Sequence, residues 1–473
     1  MKIWGSGKSL QTKARMENCM KNDTRKRHAA AAAVVLGSII FYLIWYWQDG
    51  VIITPDSDSY LMMQADREPL YCIFLWLMRE TFGHGIYLDA TVVVQCVLAG
   101  IATAVFTLSL KKRFHLNRIV TFLVWAIQCG LTLLNRFVAQ RGYSYFNSIR
   151  TEALAYSLYL FLILGLLAVL YDKSRAGVLL SLLWAVVLTS IRKQMVVAFG
   201  LIFLAVLYAW WKDKGWKKAL LYAALFVALG LGSTRLIDCT YNYVCRGVFT
   251  MHTGDSSFIL GNEIYAANEG MAERITDDVN RAIFLEILAR ADAEEYNIQY
   301  AGEGWYGLQD HYSMSYDRIK FDIVMPVIRE YQDSVGMADT DREDNYNAIA
   351  GTIMKEILRP CVPDLFKIFV VNVISGFITT LLKVHPVLNV VAPFLYAAYI
   401  ALFVWLAAKG SYKTEHSSLL FAALVMTALV ATIILTSATI YCQMRYMLYN
   451  TGLFYQAGLL MLCEALQKKG QKT

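Results

Sequence analysis

Two carboxylates lie close together in a short polar segment that follows the first long apolar run of the chain. Asp56 and Asp58 stand two residues apart within residues 54–60, TPDSDSY. A carboxylate in such a loop can take the proton of an attacking hydroxyl group and so act as a general base. The same pattern also suits a solvated turn in which Asp56 caps a helix that starts at Ser57. Residues 54–60 taken alone leave both interpretations open.

A further acidic residue opens a later apolar run. Glu152 follows Arg150 and Thr151 directly before residues 153–171, which are almost wholly apolar. Ionisable residues at the end of a membrane span commonly mark a functional site, and a simple contact with lipid headgroups is the alternative.

Several short motifs combine with these acids: Asp56-Ser57-x-x-Tyr60, Arg67-x-Pro69-x-Tyr71, Thr151-Glu152 and Arg445-Tyr446. Together they resemble the GT-C superfamily of membrane glycosyltransferases, which use polyprenyl-phosphate sugars and include the protein O-mannosyltransferases and the lipid A aminoarabinose transferases. The resemblance covers the amino-terminal half of the chain and the Arg-Tyr pair before the last apolar run. The chain departs from the family at Cys72, where family members usually have proline.

The resemblance implies roles for the acidic residues. Asp56 would deprotonate the acceptor hydroxyl as it attacks the anomeric carbon in line, which gives inversion. Asp58 would share the catalytic site, and Glu152 corresponds to the second acidic position of the family. A divalent metal ion is a possible cofactor, and Asp58 and Glu152 are the candidate ligands because hard cations prefer carboxylate oxygens.

A polyprenyl phosphate leaves as an anion, so cationic side chains must stand at the outer membrane boundary to stabilise it. The candidate substrate-binding residues are Tyr60, Arg67, Tyr71, Arg192, Lys193, Arg445 and Tyr446. The alternative for the cations is that they reach headgroups from helix ends without a catalytic task. Arg67 has the further alternative of pairing with Asp66 or Glu68.

The composition requires these residues to be carried by membrane helices. Charged residues make up 17% of the 473 residues and hydrophobic ones 57%, and the mean hydropathy is +0.43, whereas soluble domains are about 25% charged. Apolar runs predict ten spans: residues 29–47, 87–110, 119–134, 151–171, 177–191, 195–211, 219–232, 386–408, 419–439 and 450–466. The fold class expected is an all-α integral membrane protein with a mostly helical extracytoplasmic domain.

Charge sets the orientation. Residues 236–364 hold ten Lys/Arg against 23 Asp/Glu, a net −13, which leaves +20 for the rest of a chain of net charge +7. Basic loops stay in the cytoplasm. We therefore expect these divisions of the chain: a basic cytoplasmic terminus at 1–28, a transmembrane module at 29–235 with a catalytic outer loop at 49–86, an acidic extracytoplasmic domain at 236–364, an interfacial or shallow re-entrant helix at 365–384, and a second transmembrane module at 385–473.

The expected protein is a multi-pass protein of a bacterial cell membrane with both termini in the cytoplasm. Its expected partners are a polyprenyl-phosphate sugar, an extracytoplasmic acceptor and membrane lipid, and no nucleic acid. An O-antigen polymerase or ligase and a polysaccharide or lipid transporter remain as alternatives. Cys239 and Cys245 either form a disulfide or remain as thiols.

Overall fold

The structure, a computed structural model, describes residues 6–138, 142–251, 255–382 and 389–470. These ranges fold into α-helices joined by short turns and single turns of 3₁₀ or π helix. The helices are α1 Ser6–Asp49, α2 Ser57–Leu61, α3 Pro69–Phe82, α4 Tyr87–Phe114, α5 Arg118–Leu133, α6 Thr151–Asp172, α7 Arg175–Ile191, α8 Val197–Lys214, α9 Trp216–Arg246, α10 Asp255–Ala266, α11 Asp278–Ala293, α12 Gly304–Arg318, α13 Met325–Ser334, α14 Asp339–Leu382, α15 Val391–Ala408, α16 Leu419–Ser437 and α17 Met444–Gly470.

Eight helical segments within the described residues are long and apolar enough to cross a membrane. They are His28–Asp49, Tyr87–Phe114, Thr151–Asp172, Lys193–Lys214, Trp216–Arg246, Asp341–Thr380, Val391–Ala408 and Leu419–Ser437. Two shorter apolar helices, Arg118–Leu133 and Arg175–Ile191, occur where the sequence predicts spans. The prediction of a multi-pass helical membrane protein is therefore confirmed.

The transmembrane bundle is built around α6, whose side chains are buried along nearly its whole length. The surrounding helices expose leucines on their outer faces, among them Leu179, Leu183 and Leu225, as helices in contact with lipid do. At Gly100, α4 approaches α1 so closely that a Cβ atom would lie 2.6 Å from the Cα of Ile39. Small residues allow such close helix packing in membranes, where lipid already solvates apolar side chains.

A second hydrophobic core lies in the acidic segment. Leu260, Phe284, Tyr312, Ile328 and Ile353 are completely or almost completely buried in it, and they come from α10, α11, α12, α13 and the first half of α14. This segment is helical, as its periodicity predicts. We refer to residues 255–365 as the helical domain.

The boundaries within the chain differ from the predicted ones at two places. α9 continues from Trp216 to Arg246, so residue 236 lies inside a helix and not at a domain boundary. Cys239 and Cys245 stand on this same helix as free thiols, the first buried and the second exposed. They lie six residues apart, which places them on different faces of the helix, so the disulfide alternative does not hold here.

Residues 365–382 do not form a separate helix, because α14 runs without interruption from the helical domain into the bundle and contains Pro360 and Pro363. Its last turns pack among α16 and α17. At Gly376 a Cβ atom would lie 2.8 Å from Ile433 Cγ2, and Thr451 Oγ1 donates a hydrogen bond to the carbonyl of Thr380 at 2.7 Å. The described part of 365–384 is thus the end of a longer helix that packs in the bundle, and residues 383–384 lie outside the described residues.

Candidate functional site

The loop after α1 is tied to the loop before α6. Ile52 donates its N–H to the carbonyl of Asn147 at 2.9 Å, and Ile149 donates back to the carbonyl of Ile52 at 3.1 Å. Ser57, which is fully buried, donates its hydroxyl to the carbonyl of Ile149 at 2.9 Å. These bonds bring Asp56 next to Arg150, although 93 residues separate them in the chain.

Asp56 is surrounded by three arginines. Arg150 Nη2 donates to Asp56 Oδ2, Arg445 Nη1 lies 2.9 Å from the same oxygen, and Arg67 Nη2 lies 3.9 Å from Oδ1. Partial burial of the carboxylate acts to raise the pKa of Asp56, but the charges of Arg445, Arg150 and Arg67 outweigh it and hold that pKa below its ordinary value. Asp56 is therefore ionised, with a side chain that is still 31% exposed.

The structure also bears on the interpretation of Asp56 as a helix cap. A short helix does begin at Ser57, and Asp56 occupies its N-cap position, but the carboxylate makes no capping hydrogen bond to that helix. Its oxygens contact the arginines instead, so Asp56 forms ion pairs with segments of the chain that are distant in the sequence.

Glu152 lies in a second layer behind these groups. Its side chain is 2% exposed, and Oε1 forms an ion pair with Arg192 Nη1 at 2.9 Å and lies 4.0 Å from Arg445 Nη1. Tyr446 stands between the two arginines, with its ring 5.0 Å from the guanidinium carbon of Arg192 and 4.8 Å from that of Arg445. Arg445 also donates to the Tyr446 hydroxyl at 2.7 Å. Arg445 thus links the two carboxylates.

A cavity of about 910 Å³ opens in front of Asp56. One wall comes from the bundle and its loops and holds Asp56, Asp58, Arg67, Arg150 and Arg445. The facing wall comes from the helical domain and holds Asp317, Lys320, Phe321, Met325, Arg329, Gln332, Arg342, Glu343 and Tyr346. The volume suits a small-molecule ligand, since such sites commonly measure about 300–1,000 Å³.

Lys320 stands on a π-helical turn, Ile319–Val324, between α12 and α13. π-Helical turns are uncommon and often occur at functional sites. The side chain is buried, with its ammonium 4.7 Å from the ring of Phe321. Burial lowers the pKa of Lys320 to about 8, and Asp66 and Asp317 offset only part of that effect.

In the described part of the chain, the lining of the cavity does not include Tyr60, Tyr71 or Lys193. Tyr60 is buried beneath Arg67, whose guanidinium carbon is 4.8 Å from its ring. Tyr71 is fully buried and donates its hydroxyl to Gln95 Oε1 at 3.0 Å. The backbone N–H of Lys193 donates to Glu68 Oε1 at 2.7 Å.

The carboxylates suggested as metal ligands do not form a ligand set. Asp58 lines the cavity, whereas Glu152 is bound by Arg192 and Thr151. Among the described residues, no three His, Cys, Asp or Glu side chains gather into a possible metal site. The predicted ligand pair of Asp58 and Glu152 is therefore not brought together, and a bound divalent ion stays a prediction.

Sequence reasoning missed several groups of the cavity. Arg150 is the closest partner of Asp56, and its position directly before Thr151-Glu152 could have indicated it. Lys320, Arg329 and Asp317 come from the acidic segment, where only the folded contacts of the helical domain with the bundle reveal them.

The fold and this site define a multi-pass helical membrane protein with an arginine-bound carboxylate in a cavity between its bundle and its helical domain. Comparison with protein-family models, with curated proteins and with solved structures finds no match.

Proposed function

We propose that this protein is a GT-C-type glycosyltransferase, which moves a sugar from a polyprenyl-phosphate donor to an extracytoplasmic acceptor with inversion at the anomeric carbon. The observation that carries the proposal is that one cavity is lined by Asp56 and by the cations Arg67, Arg150 and Arg445. The acceptor is a glycan, a lipid or a protein that presents a hydroxyl group.

The reaction needs one base and several cations. The acceptor oxygen forms a bond to the anomeric carbon while the bond from that carbon to the phosphate oxygen breaks. The hydroxyl proton passes to the carboxylate of Asp56, and the polyprenyl phosphate leaves with the electron pair as an anion. Arg67, Arg150, Arg445 and, from the facing wall, Lys320 stabilise that negative charge.

Donor binding makes Asp56 a better base. A carboxylate held by three arginines is a weak base, because each cation favours its ionised form. The donor phosphate competes for the same guanidinium groups, which bind phosphate and carboxylate alike. Once the arginines are shared with the phosphate, the pKa of Asp56 rises toward its ordinary value. Proton transfer then takes place only with the donor in position.

The proposal includes a topology. The cavity faces the outside of a bacterial cell membrane, both termini lie in the cytoplasm, and ten crossings connect them. Its support is the distribution of charge, with basic residues in the short loops and the termini and a net −13 in residues 236–364.

The direct test is sugar transfer by purified Asp56→Asn with a polyprenyl-phosphate sugar as donor. We expect transfer to fall by at least about a hundredfold, as removal of a general base does. Asp213→Asn is the matched control, because Asp213 pairs with Lys173 in an exposed ion pair at the other end of the bundle. Transfer by Asp56→Asn at the wild-type rate would refute the proposal.

The second candidate is an O-antigen-type polymerase or ligase, enzymes that rely on arginines of outer loops. The arginines around Asp56, with Arg329 and Arg342 on the facing wall, favour it. Product length separates the two functions, because a transferase adds one sugar and a polymerase accumulates long chains. Full activity of Asp56→Asn together with loss of activity in Arg150→Ala would favour the second candidate.

A further inference from the structure

A second cavity, of about 930 Å³, lies at the other end of the bundle. The first cavity is lined by Arg150, directly before α6, and the second by Asp172, the last residue of α6. A helix of this length separates its ends by about 33 Å, which is close to the thickness of the hydrocarbon layer, about 30 Å. The second cavity is therefore a separate site, and its function does not depend on the proposed sugar transfer.

The lining of this cavity is apolar on one side and basic on the other. Leu164, Leu167 and Phe403 form part of the apolar wall, and the exposed Lys112 and Lys413 stand at the rim. A soluble anion would use only the basic side. A phospholipid presents a phosphate and an acyl chain together, so it matches both parts of the lining.

Hydrogen bonds connect the residues at the rim of the cavity. His416 Nδ1 lies 2.9 Å from the carbonyl of Arg113, which can only accept, so His416 donates there. Its Nε2 then accepts a hydrogen bond from His115 Nε2 at 3.1 Å. Tyr171 donates its hydroxyl to the carbonyl of Ser417 at 2.6 Å. These bonds join the ends of α4 and α6 to the turn before α16, so the cavity keeps its shape.

The charges of the rim favour an anion. Two carboxylates, Asp172 and Glu415, line the cavity, and Arg113 neutralises Asp172 by donating to both of its oxygens. Lys112 and Lys413 remain as rim cations against Glu415. In the proposed topology, on which this step rests, this end of the bundle is cytoplasmic, and basic pockets between membrane helices on that side bind anionic lipid headgroups. We infer that this cavity binds the phosphate headgroup of an anionic phospholipid, with an acyl chain along its apolar wall.

Lipid binding by purified protein tests the inference. Native mass spectrometry measures the binding of added phosphatidylglycerol or phosphatidylcholine to the wild type, to Lys112→Gln/Lys413→Gln, and to Lys217→Gln/Lys218→Gln. The last variant removes the same charge from exposed lysines at the same end of the bundle, outside this cavity. We expect the affinity for phosphatidylglycerol to fall about thirtyfold in the first variant and to stay unchanged in the second, since each lysine near a headgroup contributes about a factor of five.

Two results would overturn the inference. An equal decrease of the affinity for phosphatidylglycerol in both variants, or no decrease in either variant, would show that this cavity does not bind the lipid. Displacement of phosphatidylglycerol by an equal concentration of inorganic phosphate would identify a soluble anion as the occupant. All four substituted lysines are exposed, and thermal unfolding at the wild-type temperature verifies that both variants fold.

Discussion

Replacing Glu152 with glutamine is expected to destabilise the protein more than replacing Glu152 and Arg192 together. Their side chains are 2% and 12% exposed and form an ion pair at 2.9 Å. Removing one charge leaves the other buried without its main partner, which costs about 3–5 kcal/mol of unfolding free energy. Replacing both charges with amides removes that penalty. The cost of the double variant should therefore lie at least about 2 kcal/mol below the sum of the single costs.

The assay is a double-mutant cycle on purified protein, in which unfolding is titrated with dodecyl sulfate and followed by tryptophan fluorescence. Glu152→Gln, Arg192→Gln and the double variant are compared with the wild type. Lys173 and Asp213 give the control cycle, because both side chains are about half exposed and such a pair contributes less than about 1 kcal/mol. Single costs that simply add up in the double variant would refute the reasoning.

Three further predictions concern pH and metal ions. The rate of sugar transfer falls as the pH rises through about 8, because Lys320 then loses its charge. The Lys320→Arg variant keeps its charge, so its rate falls only at higher pH. An unchanged dependence of the rate on pH in this variant would contradict the role of Lys320. Burial raises the pKa of Glu263 to about 8, so the folded state keeps a proton that the unfolded state loses above about 4.5. Keeping this proton lowers the free energy of unfolding more and more as the pH rises between these two values, and the loss is about 3 kcal/mol at pH 7. Glu263→Gln removes it, and the difference in unfolding temperature between variant and wild type grows from pH 5 to pH 8; a constant difference would contradict the assignment. Chelation of divalent cations with EDTA leaves sugar transfer unchanged, since arginines already neutralise Asp56 and Glu152, and loss of transfer that magnesium restores would contradict this.

The chain order made part of the site predictable. Asp56 and Arg67 lie in one short loop, and Arg445-Tyr446 begins the last helix, so a shared end of the bundle follows once the spans alternate. The structure brings Asp56, Arg67 and Arg445 to one cavity. Arg192 lies behind that cavity and holds Glu152. Sequence spacing could not predict which arginine lines the cavity and which one lies behind it, because a long side chain at a helix end can point in several directions.

The helical domain shows where sequence reasoning fails. Its helices are predictable from their periodicity, but Lys320 reaches the cavity only because the π-helical turn at Ile319–Val324 and the packing of α12 on α14 place it there. Such packing depends on contacts between residues distant in the sequence. The same holds for Arg329 and Arg342, which read as ordinary surface charges until the facing wall is assembled.

The path of α14 bears on the number of crossings. The segment Asp341–Thr380 is long and apolar enough to span, yet its tip meets α17 at Thr451, seven residues or about 10 Å after that helix begins at the end that carries Arg445. α15 starts at the same depth in the bundle as the tip of α14, because Tyr396 near its beginning donates to the carbonyl of Phe377 at 3.0 Å. It then runs to the opposite end of the bundle, where Lys468 donates a hydrogen bond to Ser411 in the turn after α15. The tip of α14 and α15 together thus make one passage through the bundle. Adding α14 as a full span would put the turn after α15 at the wrong end, so the contacts of the described residues do not fit two separate full passages by α14 and α15.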